Sequence, residues 1–313
     1  MRATGADWEI VELADGALRL GVHRAGPRPT PSGADIALTA DPDPPAPWVG
    51  VKAADLDAQV DELSAAAVAR PIATAVLIQV LRMSLALPFE DALVAESLAY
   101  STLLGGAEFA AWRAATPVRA RPRAAGLAAD APWVRLARGE DGLMVTLARA
   151  EARNAVNARL RDELVEALEF ALVDPDAGPV ILAGQGPAFS AGGDLNEFGQ
   201  ATDLALAHAV RVQQSPARLA HALGGRLTAR LHGPCIGAGI EIPAGAARVT
   251  ATRDAWFRLP EVSMGLIPGA GGTATIPRRI GRERCGYMAL SGRAIDAATA
   301  LAWGLVDAIE AKA

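Results

Sequence analysis

Lysine is nearly absent. Of 30 basic residues only Lys52 and Lys312 are lysines, so arginine carries almost all the positive charge. The arginines are dispersed and the formal net charge is -5, which gives no basic stripe for a nucleic-acid backbone. Their densest group, RARPR at 119–123, lies in a Pro/Ala-rich stretch and reads as part of a solvated linker. Cysteine is also scarce: Cys235 and Cys285 stand in no CxxC or Cys/His spacing, which argues against a disulfide framework or a zinc site and reads them as small buried side chains. The four histidines, His23, His208, His221 and His232, make no HExxH or similar pattern, so no metal is expected. No apolar run reaches the roughly 18 residues of a membrane span. The longest candidate, PIATAVLIQVLRMSLALPF from Pro71, is interrupted by Arg82 and reads as a packed amphipathic helix. The opening MRATGADWEIVELADG has acidic residues where a signal peptide needs an apolar stretch. The expectation is a cytoplasmic protein with no nucleic-acid or membrane partner.

What is present is apolar surface: 51% of the 313 residues are hydrophobic, enough for one large core or a core with a smaller appendage. Between 114 and 131 the sequence loses apolar periodicity and gains prolines, as a linker does. Beyond it, WVRLARG and LMVTL read as strands around a turn at Asp141-Gly142. Leu160, Leu164, Leu168 and Leu172 recur at i, i+4 and predict an amphipathic helix stopping at Pro175. VILAG follows as a buried strand. A helix over 201–222, a strand in RLTARLHG, a helix after Gly239 and a strand in RVTATRD continue the alternation, which makes the chain α/β. In such sheets ligands sit where loops leave the strand ends.

Three loops attract attention on that ground: GPAFSAGGDL (186–195), GPCIGAGIEIPAG (233–245) and LPEVSMGLIPGAGGTATIPRRIG (259–281). Small residues in the first two let backbone N–H groups approach a ligand. Two such donors converging on one carbonyl oxygen would form an oxyanion hole. Either cluster alone is equally well explained by tight turns. A Walker loop is excluded because GAGGT lacks the GK[ST] ending, and neither cluster supplies a Rossmann GxGxxG.

In combination AFSAGGDLNEF, GPCIGAGIEIPAG, LPEVSMGLIPGAGGTATIPRRIG and SGRAIDAATALAWGLVDAI, in this order, resemble the enoyl-CoA hydratase/isomerase (crotonase) family over about Trp133 to Ile309. The resemblance implies a crotonase-like (ClpP/crotonase) spiral of ββα units with packed helices. It places the two oxyanion N–H groups on Gly193 and Ala238, and the acid/base pair on Glu241 and Glu261, twenty positions apart. Glu241 would activate water and Glu261 would be the principal proton donor. Read without the family, Glu241 is a carboxylate in a helix's first turn and Glu261 a loop carboxylate. Ala191, Asp194, Gly237, Pro268 and Gly269 fall in the substrate-binding loops, with Asp194 read as structural more readily than catalytic. RAEARNAVN resembles the strip lining the CoA channel, which makes Arg149, Ala152 and Arg153 candidates for CoA contact, with exposed arginines as the alternative. No cofactor is implied, since CoA is part of the substrate.

The family core is normally followed by helices that cover the active site and build a trimer or dimer of trimers, whereas here the sequence ends after WGLVDAI. Residues 55–113 resemble that helical segment but lie on the N-terminal side of the core. The expected division is therefore a strand-rich segment over 1–54, a helical lid or oligomerisation unit over 55–113, a linker over 114–131 and a catalytic core over 132–313. The first segment echoes the start of the core through Trp8/Trp133, Asp15-Gly16/Asp141-Gly142 and Arg24-Ala25/Arg149-Ala150. A decayed copy of the fold, a circular permutation and an unrelated appendage all stay open as its origin. The leading functional expectation is hydration of a 2-enoyl-CoA to a 3-hydroxyacyl-CoA. Double-bond isomerisation, another crotonase-type reaction and a non-catalytic acyl-CoA binder are the alternatives.

Overall fold

The computed structural model describes residues 3–5, 8–118, 131–174 and 176–311; RARPR at 119–123 and Pro175 lie outside them. Strands β1 (Ala3–Gly5), β2 (Trp8–Leu13), β3 (Leu18–His23), β4 (Ile36–Thr39) and β5 (Val49–Gly50) form one sheet in that order. β2 and β3 make an antiparallel hairpin, and β4 and β5 then add in parallel. Four helices follow: α1 (Leu56–Ala69), α2 (Pro71–Ser84), α3 (Phe89–Leu104) and α4 (Ala107–Ala115). Pro71 opens α2, where its missing N–H is not needed, and Glu108 of α4 accepts from the free Ile72 and Ala73 N–H groups at 2.8 and 3.0 Å.

The rest of the chain builds a second body from repeated strand pairs. β6 (Val134–Gly139) and β7 (Gly142–Leu147) form a hairpin, and α5 (Ala158–Val173), capped by the Asn157 side chain on Leu160 N–H, crosses to β8 (Val180–Gly184). Next come α6 (Leu204–Gln213), α7 (Pro216–Ala222), β9 (Leu227–Leu231), β10 (Pro234–Ile236), α8 (Ala238–Glu241), β11 (Arg248–Thr252) and β12 (Trp256–Arg258). The chain closes with α9 (Gly272–Ile280), α10 (Arg282–Ser291), β13 (Ile295–Asp296), α11 (Ala297–Trp303) and β14 (Ala308–Glu310). One sheet runs β14-β11-β9-β8-β7-β6 and the other β10-β12-β13. Successive turns thus add β9 and β11 in parallel to the large sheet, and β10 and β12 in parallel to the small one. The loops after the small-sheet strands consequently gather at one end.

Two helix readings need correction. The expected helix over 201–222 breaks into α6 and α7, because Ser215 caps Arg218 N–H and Pro216 occupies the first helical position. The helix after Gly239 is only the single turn α8, stopped as Pro243 opens a 3-10 turn. In α5, Leu160, Leu164 and Leu168 are buried but Leu172 is exposed, since i, i+4 steps drift around the helix and Ala171 takes the inner face.

The N-terminal sheet and helices share one core with the second body, running from Leu18, Ile36 and Leu77 to Phe257 and Met288. Polar ties reinforce the contact. Arg284, itself buried, donates to the Trp48 and Pro44 carbonyls at 2.9 Å each. Asp35, 2% exposed, accepts from Arg82 Nη2 at 2.7 Å and Arg19 N–H at 2.9 Å, and pairs with Arg282 at 3.5 Å. Its removal strands a backbone donor and two cations, which are about a third exposed and can partly rehydrate. Asp35→Ala is expected to cost about 2–3 kcal/mol, measured as a lower urea midpoint. Among the described residues no single helix is long and apolar enough to cross a membrane.

Candidate active site

The pairing of β10 with β12 sets Ile236 beside Arg258, and Gly237 N–H donates to the Arg258 carbonyl at 2.9 Å. Glu241 follows the end of the first strand and Glu261 the end of the second, so two residues twenty positions apart meet. At Gly237, φ is +49°; a Cβ there would collide with Glu261 Oε1 and lie 3.6 Å from Glu241 Oε1. Only a residue without a side chain leaves room for both carboxyls.

The AFSAGG loop runs alongside. Ser190 bridges to Cys235, and Gly193 bridges to Val156. Gly192, at φ +85°, packs so tightly that a Cβ would sit 2.6 Å from the Ile236 carbonyl oxygen. This brings Gly193 next to the start of α8. Gly193 and Ala238 both line a cavity of about 540 Å³, and neither N–H meets an acceptor among the described residues. Two unoccupied backbone donors in one cavity suit an oxygen that gains negative charge.

Glu241 Oε2 accepts from Ala270 N–H at 2.7 Å and Gly272 N–H at 3.0 Å. Glu261 Oε2 is buried with no partner among the described residues. Burial raises both carboxyls, Glu261 to about 8 and Glu241 well above the ordinary range, where Glu261 and Glu96 add repulsion. The hydrogen bonds separate the pair. Two N–H donors favour the charged form of Glu241, whereas no donor meets Glu261 Oε2 and its burial outweighs the pull of its own backbone N–H and of Arg258.

Of the residues singled out from sequence, Gly193, Asp194, Ala238, Glu241, Glu261 and Gly269 line the cavity, while Arg149, Ala152, Arg153, Ala191, Gly237 and Pro268 are not part of its lining. Arg149 is turned inward: its guanidinium pairs with Asp194 at 3.0 Å, donates to the Ala155 carbonyl at 2.7 Å and stacks on Trp133 at 4.4 Å. These contacts leave Asp194 a structural partner.

Sequence reading missed four residues. Asn154, fully buried at φ +52°, donates to the Gln185, Ala188 and Phe189 carbonyls and accepts from Arg149 N–H, holding the loop before Gly193. Asparagine just after the αL residue Arg153 was a readable signal. Glu96, Tyr100 and Arg211 also line the cavity. Glu96 Oε1 accepts from Gly271 N–H, and its Oε2 from Thr273 N–H and Oγ1, all at 2.7 Å. Burial raises its carboxyl to about 7 against the pull of these bonds. Its signal was a charge on the face of α3 that also carries Leu93, Tyr100 and Leu104, at helical spacing.

Comparison with known proteins finds relatives over the C-terminal part of the chain. The sequence profile of the enoyl-CoA hydratase/isomerase family matches residues 140–313. The chain is similar to the 2,3-dehydroadipyl-CoA hydratase of Escherichia coli (strain K12), with 39% identity over 165 residues, 53% of this chain and 64% of that protein. It is also similar to a mevalonyl-coenzyme A hydratase of Beauveria bassiana, with 32% identity over 53% of this chain and 62% of that one. It thus spans less than two thirds of the length of these curated relatives. Among solved structures, the enoyl-CoA hydratase from Thermoplasma volcanium superposes with a TM-score of 0.54 at 30% identity, covering 59% of this chain and 75% of that one. One from Thermobifida fusca, in complex with CoA, gives 0.52 at 25% identity, covering 58% and 73%. The fold is the crotonase fold, and the chain belongs to the enoyl-CoA hydratase/isomerase family.

Proposed function

We propose that this protein adds water across the conjugated double bond of a 2-enoyl-CoA to give the 3-hydroxyacyl-CoA. The observation that carries this reading is the meeting, in one cavity, of Glu241 and Glu261 with the unoccupied N–H groups of Gly193 and Ala238. The thioester oxygen accepts from those two N–H groups and is stabilised as it becomes enolate-like. Glu241, anchored by Ala270 and Gly272, takes a proton from water as its oxygen bonds to C3. Glu261, held protonated by burial, delivers a proton to C2 as the double-bond electrons collapse there. The water O–H and Glu261 O–H bonds break as the C–O, C–H and Glu241 O–H bonds form; Glu241 then releases its proton and Glu261 regains one through solvent, so the net change is addition of water and no redox partner is required. CoA enters as part of the substrate.

The relatives named as hydratases of different CoA thioesters support the reaction type without choosing the acyl group. A trimer or dimer of trimers is proposed on family resemblance, to be measured by light scattering. Crotonyl-CoA mixed with the purified protein should lose its conjugated thioester absorbance and yield a product heavier by one water. A product of unchanged mass from a longer enoyl-CoA would replace hydration with double-bond isomerisation.

A further inference from the structure

Arg211 is a partly buried cation in the wall of the cavity. Its Nη1 donates to Ser101 Oγ at 2.9 Å, Ser97 Oγ at 3.0 Å and the Ser97 carbonyl at 3.3 Å, and its guanidinium lies over the Tyr100 ring at 4.5 Å. This nitrogen, together with His208 Nδ1 at 2.9 Å from Ser97 Oγ, ties α6 to α3. Among the described residues, Nε and Nη2 have no acceptor and no carboxylate lies within ion-pair distance.

Glu96 attracts Arg211 through space, but it and three other acidic residues of the cavity wall take their hydrogen bonds and ion pairs from other groups. Glu96 accepts from Gly271 and Thr273, Asp194 pairs with Arg149, Glu197 accepts from Ala158 N–H and Asp203 caps Leu206. Arg161 also lines the cavity and is paired with Asp162. A cation tying two helices needs no access to a substrate cavity, and withdrawing it from water with no carboxylate in contact costs stability. A guanidinium with one edge fixed and the other open is arranged to receive a carboxylate.

We infer that Arg211 binds an anionic group, a carboxylate, at the far end of the substrate's acyl chain, so that the substrate is a dicarboxylic acyl thioester rather than a plain fatty one. Leu93, Leu104, Leu206 and Val210 line the same cavity and supply apolar contact for the methylenes between the reacting carbons and that carboxylate. This inference rests on the hydratase reading for the meaning of the cavity, but its test does not need turnover.

Calorimetric titration of the full chain with saturated, unreactive CoA thioesters measures the subsite directly. Chains of four to eight carbons ending in carboxylate would be compared with uncharged chains of equal length. For at least one length the carboxylate-ended thioester should bind about ten- to a hundred-fold tighter. R211Q should bring that ratio to about one, and R211K should retain part of it through charge without the fork. Equal or weaker binding of every carboxylate-ended thioester to the wild-type protein overturns the inference, and that comparison needs no variant to fold. A preference that survives in R211Q also overturns it. Equal weakening of both series in R211Q would place the contact on the CoA phosphates and overturn it as well. If the preference is present but no enoyl thioester is hydrated, the hydratase reading fails while the carboxylate subsite stands.

Discussion

E241Q and E261Q should each lower kcat for hydration by about 10²- to 10⁴-fold, with a smaller change in KM. Glutamine retains the shape of each side chain but neither accepts the water proton as a carboxylate does nor donates an acidic one. The E261Q protein should nevertheless be the more stable one at alkaline pH. The Glu261 carboxyl is raised from its ordinary 4.5 to about 8, chiefly by burial. Between those values the folded chain holds a proton that the unfolded chain releases, so the wild type loses stability as pH rises from about 4.5 through 8. Glutamine has no such titration. The difference in Tm between E261Q and wild type should widen steadily in favour of the variant over that window. A constant difference would show that Glu261 is not held protonated. The wild-type activity should fall above about pH 8, as Glu261 loses the proton it must give.

E96Q should cost about 2–4 kcal/mol of stability and reduce kcat more than KM, although Glu96 is proposed to touch no reacting atom. The reason is the way two carboxylates divide one loop. Ala270 and Gly272 N–H groups point to Glu241, while Gly271 and Thr273 N–H groups point to Glu96. Both oxygens of Glu96 accept, so an amide must set its NH2 against a donor and leave a buried N–H unpaired. Displacing Gly271 moves its neighbours and with them the anchor of Glu241. Glu96 also raises the Glu241 carboxyl by repulsion. Its neutralisation should therefore shift the acid limb of the pH profile to lower pH, which simple loosening of the fold would not do. A drop in stability with an unmoved profile would reduce Glu96 to a structural cap.

The contrast between these two predictions marks how far the sequence could be read. Glu241, Glu261, Gly193 and Ala238 lie in short segments rich in small residues that follow strands, so local pattern and family resemblance located them together. The meeting of Glu96, Tyr100 and Arg211 with that site depends on how α3 and α6 pack on the strand ends, and no local spacing encodes this. In the sequence, Glu96 reads as one more charge on a helix; its function is visible only opposite the loop from Ala270 to Thr273. Arg149 illustrates the reverse. As an arginine in a channel-like strip it suggested contact with CoA, and the fold instead turns it onto Asp194 and Trp133. The break at Ser215-Pro216 was readable from the cap and N1 proline alone, whereas the exposure of Leu172 required knowing which face of α5 meets the sheet. The hairpin echo was legible at element level. β2-β3 followed by parallel β4 has the same order as β6-β7 followed by parallel β8, but no helix lies between β3 and β4 where α5 joins β7 to β8.

The most direct test is turnover of crotonyl-CoA in oxygen-18-labelled water, with the product read by mass and fragmentation. Hydration by this pair predicts one labelled oxygen at C3 and, in a parallel run in deuterium oxide, one deuterium at C2, with both incorporations lost in E241Q and E261Q. Unlabelled thioester recovered from a protein shown to bind crotonyl-CoA, or label appearing in a free carboxylate after loss of CoA, would contradict it.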